Sequence, residues 1–517
     1  MSESIPSNKK LQNNTVREDK PPLETKHRGL LLLAIIGVSI IQVMDMTIAN
    51  VALPHMRAGL GASSESITWI LTSFIIAGVM VMPIVGWVSD RFGSRPVFIW
   101  AVAGFLLASM LCGAATSLVQ MVIFRGLQGI SAAFIGSMTQ TILFDITTTR
   151  EQPRVMSLWG MVIMIAPIMG PLVGGILTDA FSWRWVFYIN LPIGIPTLVI
   201  LIWLLPSRPI VPRKLDQFGF CILAVGLVSL QLLLDRGQHK DWLESWEIII
   251  ELLIVLAALW VFFVHTVATK RPLFPRELIK NVAFVSTLSF MFVLGVANVS
   301  IASILPTMYQ TVFGYSAFDT GVLMMPRGFG VLLAMFVAGR LVTKVDIRYL
   351  IVVGYIITSV AMYQMSRWTL QMDSWLIITS GFIQGLGMGL VFMPMNLAAF
   401  STLAVEHRPD GSSLLNLMRN LGGSFGISAI ITMLARNSQV SHSDLTANIT
   451  IDSLSNSDIV AVAESMGPSY ATGILQMLDI EINRQALFIA YLDNFYALAF
   501  IVFGIALLPL LLKPIRI

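Results

Sequence analysis

The stretch Gly29–Pro54, GLLLLAIIGVSIIQVMDMTIANVALP, decides how the rest of the chain is read. It is apolar over more than the roughly 20 residues an α-helix needs to cross the hydrocarbon core of a bilayer. Inside it stands one ionisable side chain, Asp45, followed by Thr47 and Asn50. A charge at that depth costs at least ~2.5–3.5 kcal/mol, so Asp45 must face a protein interior or a wet cavity. Two uses fit such a carboxyl. It can hydrogen-bond a neighbouring helix, or it can take up and release a proton and so serve as a handle on a proton gradient.

Composition sets the class. Of 517 residues 56% are hydrophobic and 12% charged. Soluble domains carry about 25% charged residues, so the sequence reads as a polytopic, all-α membrane protein. A net charge of +4 gives no reason to expect nucleic acid. Cys112 and Cys221 both lie in apolar runs and imply no disulfide framework. Met1–Arg28 is polar and lacks the features of a cleaved leader, so residues 1–28 are expected to form a disordered cytoplasmic tail and the first apolar run a retained helix. No phosphate loop, metalloprotease motif or nucleophile elbow is present, which argues against an enzyme, and no metal or cofactor is expected.

Apolar runs recur near 30–53, 67–88, 96–115, 119–142, 155–177, 185–205, 217–235 and 246–267, then near 282–304, 319–340, 349–366, 375–398, 412–435 and 485–512. These predict fourteen membrane helices. An even count puts both termini on one side. The tails and the turns after even-numbered runs hold 23 of the 33 Lys and Arg. That bias predicts cytoplasmic termini and 513–517 as a cytoplasmic tail.

The chain also repeats itself. Ala52-Leu53-Pro54 is echoed by Ile304-Leu305-Pro306, Gly86 by Gly339, Gln128-Gly129 by Gln384-Gly385, and Gly170–Gly175 by Gly422–Gly426, at offsets of 252, 253, 256 and 252 positions. Two six-helix halves follow, 29–205 and 282–512, with 206–281 carrying two inserted helices. Parallel repeats of this kind characterise one class of secondary transporter, which binds substrate near the midplane between halves.

Several motifs carry a resemblance. Gly86-Trp87-Val88-Ser89-Asp90-Arg91-Phe92-Gly93-Ser94-Arg95-Pro96 is similar to the major facilitator signature between helices 2 and 3. Ile123–Gly129 resembles the helix 4 motif, and Ala166–Gly175 the helix 5 signature of antiporters in that superfamily. Met44–Pro54, Trp183–Pro192 and Leu230–Asp241 resemble the fourteen-span drug–proton antiporters, with EmrB-like multidrug export permeases as the nearest group. The resemblance implies a major facilitator fold and proton-driven export of lipophilic or amphipathic compounds across a bacterial inner membrane. It also implies a periplasmic EmrA-like adaptor and an outer-membrane channel as partners. An exporter of an endogenous metabolite or a siderophore is the alternative on the same fold.

Roles follow from the same resemblance. Asp45 and Arg125 are implied in proton coupling, with Asp493 as a further acid. Gly86, Asp90, Arg91, Gly93 and Arg95 are implied as a conformational latch, although a plain topogenic turn also fits them. Pro167, Gly170, Pro171, Gly174 and Gly175 are implied as a hinge, where ordinary small-residue packing is the other reading. Asn50, Gln128, Arg327, Asn396 and Arg419 are the candidate substrate cavity. Arg327 and Arg419 either face that cavity and favour weakly acidic compounds or bridge internally. Residues 436–484 form the one long turn, expected outside as a helical hairpin that an adaptor could contact.

Overall fold

The computed structural model describes residues 21, 23, 25–63, 66–211, 213–447 and 468–511. Fourteen long helices account for almost all of them: α1 (Arg28–Leu60), α2 (Ser66–Phe92), α3 (Ser94–Ala114), α4 (Leu118–Asp145), α5 (Gln152–Ala180), α6 (Trp185–Leu204), α7 (Gln217–Arg236) and α8 (Trp246–Ala268). The second group is α9 (Val282–Thr311), α10 (Ala317–Leu341), α11 (Ile347–Met365), α12 (Ser374–Ser401), α13 (Arg408–Ala447) and α14 (Pro468–Ala506). Short polar side chains start several of them. Ser117, Asp216, Asn281 and Ser316 each accept a backbone N–H of the following first turn, supplying one of the acceptors that a helix N-terminus lacks.

The same packing recurs in the two halves. In the first, α1 lies on α5, α2 on α4, and α3 on α4 and α6; in the second, α9 lies on α13, α10 on α12, and α11 on α12 and α14. The closest contacts match as well. A Cβ on Gly129 of α4 would overlap the Phe74 carbonyl of α2, and one on Gly385 of α12 would overlap the Arg327 carbonyl of α10. The halves meet where α5 packs on α10 and α12 and where α2 and α4 pack on α13. The inserted α7 pairs with α8 and also lies on α2 and α13, where Asp235 accepts a hydrogen bond from Thr72.

Several boundaries differ from the apolar runs. α1 and α9 continue through Pro54 and Pro306 to Leu60 and Thr311. A proline removes one donor and kinks a helix, but packing on neighbours lets the helix run on. The long turn is narrower than expected, because α13 extends to Ala447 and α14 begins at Pro468. The two extensions run side by side, with His442 Nε2 3.7 Å from Asp479 Oδ1. The expected tip of that hairpin, 448–467, lies outside the described residues, as do most of the N-terminal tail and 512–517.

Candidate functional site

Asp45 sits midway along α1 and is 0% exposed. Three donors from two other helices converge on its carboxylate. Arg125 Nη1 of α4 lies 2.6 Å from Oδ2, and Gln128 Nε2 of α4 and Asn190 Nδ2 of α6 each lie 2.9 Å from Oδ1. The network is tied together behind them. Arg125 Nη1 also donates to Gln128 Oε1, Arg125 Nε donates to the Ile70 carbonyl of α2, and both amides donate to Ser109 Oγ of α3 at 2.7 and 2.9 Å. The guanidinium lies 4.4 Å from the Phe74 ring centroid, a cation–π contact that strengthens without water.

Arg125 is also 0% exposed, and this is the one ion pair among the described residues with both side chains sealed from solvent. A buried pair of this sort contributes little net stability, yet removing one member is costly because the other charge is left uncompensated. Arg125 Nη2 and Asn190 Oδ1 have no partner in this conformation, so the network keeps one spare donor and one spare acceptor.

Close packing begins one turn beyond. A Cβ on Gly170 of α5 would overlap Thr47 Oγ1 and lie 3.1 Å from Ile48 N, and one on Gly174 would lie 2.9 Å from Ile48 Cγ1. α5 bends by 44° between Gln152–Pro167 and Met169–Ala180, with Pro171 just past the break. Of the residues expected to form a hinge, Gly170 and Gly174 face α1 beside Asp45, whereas a side chain on Gly175 would meet nothing within 4 Å.

At the end of the molecule where α2 turns into α3, the halves lock together. Gly93 takes φ +89°, a conformation that favours glycine, to make the turn. A Cβ on Gly86 would overlap Asp410 Oδ1 from the first turn of α13, so the glycine admits a carboxylate of the other half. Asp410 is 1% exposed and receives Arg213 Nη1 and Nη2 at 2.6 and 2.7 Å. Arg213, from the loop between α6 and α7, also lies 3.7 Å from Asp90. Burial disfavours its charge, but the hydrogen bonds to Asp410 and the two carboxylates hold the guanidinium above its ordinary pKa.

Asp90 thus pairs across the loop and does not cap α3, whose N-terminus has no side-chain cap. Arg95 donates to the Ile202 carbonyl at 2.6 Å, and Arg91 is exposed. Asp145, the last residue of α4, is 2% exposed and pairs with Arg208. Above this lock, Gln140 Nε2 donates to Asn396 Oδ1, Ser412 Oγ donates to the Ser137 carbonyl, and Phe144 stacks on Phe400 at 4.2 Å.

The five candidate cavity residues are not gathered together. Gln128 belongs to the Asp45 network, Asn396 to the seal between halves, and Asn50 is exposed on α1, five residues beyond Asp45. Arg327 is 5% exposed inside the second half, donating to Asn298 Oδ1 at 2.8 Å. Arg419 faces the junction between halves, donating to Asn416 Oδ1 at 2.8 Å and lying 5.8 Å from the Phe392 ring, which itself meets Trp159 of α5. Asp493 stands apart from Asp45 and accepts a hydrogen bond from Asn437 Nδ2 at 3.4 Å. Reading the sequence singled out none of Asn190, Ser109 and Arg213. An uncharged polar residue inside an apolar run was the available signal for the first two.

The geometry agrees with comparisons to known proteins. Residues 35–427 match the family described as Major Facilitator Superfamily. The chain is 32% identical over 441 residues to the multidrug export protein EmrB of Escherichia coli (strain K12), covering 84% of this chain and 85% of that one. It is 31% identical over 505 residues to the fatty acid resistance protein FarB of Neisseria gonorrhoeae, covering 96% and 98%. Among solved structures, that of the proton:xylose symporter XylE aligns with a TM-score of 0.57 over 93% of this chain and 96% of that one, at 14% identity, a likeness of fold alone. The chain belongs to the major facilitator superfamily, within its EmrB-like branch.

Proposed function

We propose that this protein is a proton-driven exporter of lipophilic or amphipathic compounds, seated in a bacterial inner membrane with both termini in the cytoplasm. The observation that carries the reading is the sealed Asp45–Arg125 pair between two membrane helices. In this conformation no solvent reaches Asp45, so proton exchange requires a second arrangement of the halves. Protonation of Asp45 would neutralise one member of the pair and free Arg125 toward Gln128 and its spare acceptor neighbour. The movement would pass to α5 through the close contacts at Gly170 and Gly174, and from α5 to the seam with α10 and α12. Opening that seam breaks the Gly86–Asp410 lock, the latch in this scheme.

Arg419 bears on the substrate. It is a cation at the junction between halves with only amide and aromatic partners, which suits an anionic or weakly acidic amphiphile. Arg327, tied to Asn298 inside its own half, fits internal bridging better. The extensions of α13 and α14 offer a surface for an EmrA-like periplasmic adaptor leading to an outer-membrane channel.

Purified protein in vesicles tests the central point. With Asp45→Asn, substrate-driven proton movement and gradient-driven export fall to background while the amount inserted is unchanged. Undiminished export by that variant overturns the proposal.

A further inference from the structure

At the same end as the Gly86–Asp410 lock, two loops enclose a cavity of about 500 Å³. One loop joins α6 to α7 and the other joins α8 to α9. Five cations line it: Arg213, Lys214, Lys270, Arg271 and Arg276. Two acids, Asp216 and Glu277, share the lining. Asp216 is already engaged, capping α7 through Gly219 N and lying 2.9 Å from His265 Nε2. Arg276 is engaged too, donating to the carbonyls of Val267 and Thr269 that end α8. Among the described residues, Lys214, Lys270 and Arg271 form no ion pair. Glu277 offsets part of this charge and Arg213 is paired with Asp410, yet five cations against two acids leave the lining with an excess of positive charge.

Its setting decides what kind of anion it suits. Leu215, Leu273 and Trp87 give it apolar walls beside the cations. The helices that frame it turn apolar side chains outward, Phe218 at 55% and Val267 at 64% exposure, as expected where a helix enters hydrocarbon. A basic pocket opening between membrane helices at the level of their ends matches a phosphate carried on acyl chains better than a free one. Its size falls in the range of ligand pockets, about 300–1,000 Å³.

We propose that this pocket holds the headgroup of an anionic phospholipid, and that the bound phosphate competes with Asp410 for Arg213. Arg213 is the hinge of the idea, because the same guanidinium lines the pocket and closes the lock between halves. Drawing it toward a phosphate leaves Asp410 with less hold on the loop. The composition of the surrounding leaflet then sets how readily the halves part.

The test uses the full chain in detergent, with phosphatidylglycerol or phosphatidylcholine added and bound lipid counted by native mass spectrometry. Wild-type protein retains phosphatidylglycerol over phosphatidylcholine. The Lys214→Gln/Lys270→Gln/Arg271→Gln variant binds it more weakly by roughly fivefold per charge, about a hundredfold in all. Equal retention by variant and wild type overturns the site. Displacement of the lipid by inorganic phosphate or glycerol 3-phosphate at equal concentration assigns the pocket to a soluble anion and overturns the lipid. A Ser412→Cys probe in a Cys221→Ser background reports the lock. It labels severalfold faster with phosphatidylglycerol than with phosphatidylcholine, and unchanged labelling overturns the competition. Because lipid retention is read without transport, its failure leaves the export reading untouched.

Discussion

The two halves share a scaffold and differ in charge. At the offsets of the internal repeat, Ala297 takes the place of Asp45, Gly381 that of Arg125, and Gln384 that of Gln128. Gln384 is 0% exposed and neither of its side-chain polar atoms has a partner, whereas Gln128 is tied to Asp45, Arg125 and Ser109. Arg327 enters from the position of Phe74, the ring that lies under Arg125 in the first half. The glycine contacts that hold the scaffold are retained in both, and the titratable pair is confined to one. Packing and charge have thus been separated: the close glycine contacts recur in both halves, and the buried Asp45–Arg125 pair has no counterpart at the matching positions.

Substitutions in the two centres break or sharpen that comparison. The largest effect is expected from Arg125→Met, which strands the Asp45 carboxylate in a sealed site. A loss of about 3–5 kcal/mol is expected, read as a lower unfolding midpoint in detergent. The Asp45→Asn/Arg125→Met double variant recovers most of that stability and none of the transport. Arg327→Met, by contrast, strands no carboxylate and leaves only Asn298 short of a partner, for about 1–1.5 kcal/mol or less. Equal losses for the two arginines would erase the asymmetry between halves.

A second pair tests the link from Asp45 to α5. Gly170→Ala forces a methyl group onto Thr47 Oγ1 and the Ile48 backbone and is expected to cost about 1–3 kcal/mol, with slowed export. Gly175→Ala enters open space and is expected to stay within about 0.5 kcal/mol of wild type. If both glycines tolerate alanine equally, α5 does not transmit through that contact.

The smallest effect concerns the entry to α1, outside the membrane helices. Glu151 accepts from Thr148 and pairs with Arg28 at 2.5 Å. The Thr148 hydrogen bonds first, then Arg28, hold its carboxyl below the usual glutamate range. A lowered folded pKa means that the contribution is complete above about pH 4.3, the unfolded value, and disappears as pH falls through the folded one. The stability difference between wild type and Glu151→Gln is expected to be small at pH 7 and to vanish below that window. A difference that grows on acidification would contradict the sign.

Much of this was legible in the residues themselves. Helix number followed from hydropathy, because a bilayer demands apolar runs of a given length whatever they pack against. The internal repeat was legible because helix packing needs glycine at fixed points, Gly129 and Gly385 among them, and a missing side chain is visible in sequence. Asp45 and Arg125 stood out because charge at membrane depth is costly enough to be rare.

What the sequence could not supply was who meets whom. Asn190 and Ser109 are ordinary polar residues until α3 and α6 bring them to the carboxylate. Asp410 and Arg213 lie 197 positions apart with the inserted helices α7 and α8 between them, so only the folded chain closes the lock between them. The chain by itself determined that this is a fourteen-helix membrane protein of two repeated halves with an acid in the middle of its first apolar run, since those properties are local or periodic. Tertiary structure alone decided that the acid is sealed by four helices, that the cavity candidates are scattered, and that a loop arginine bridges the halves. Distances of a few ångströms between remote segments are fixed by packing, and no spacing along the chain encodes them.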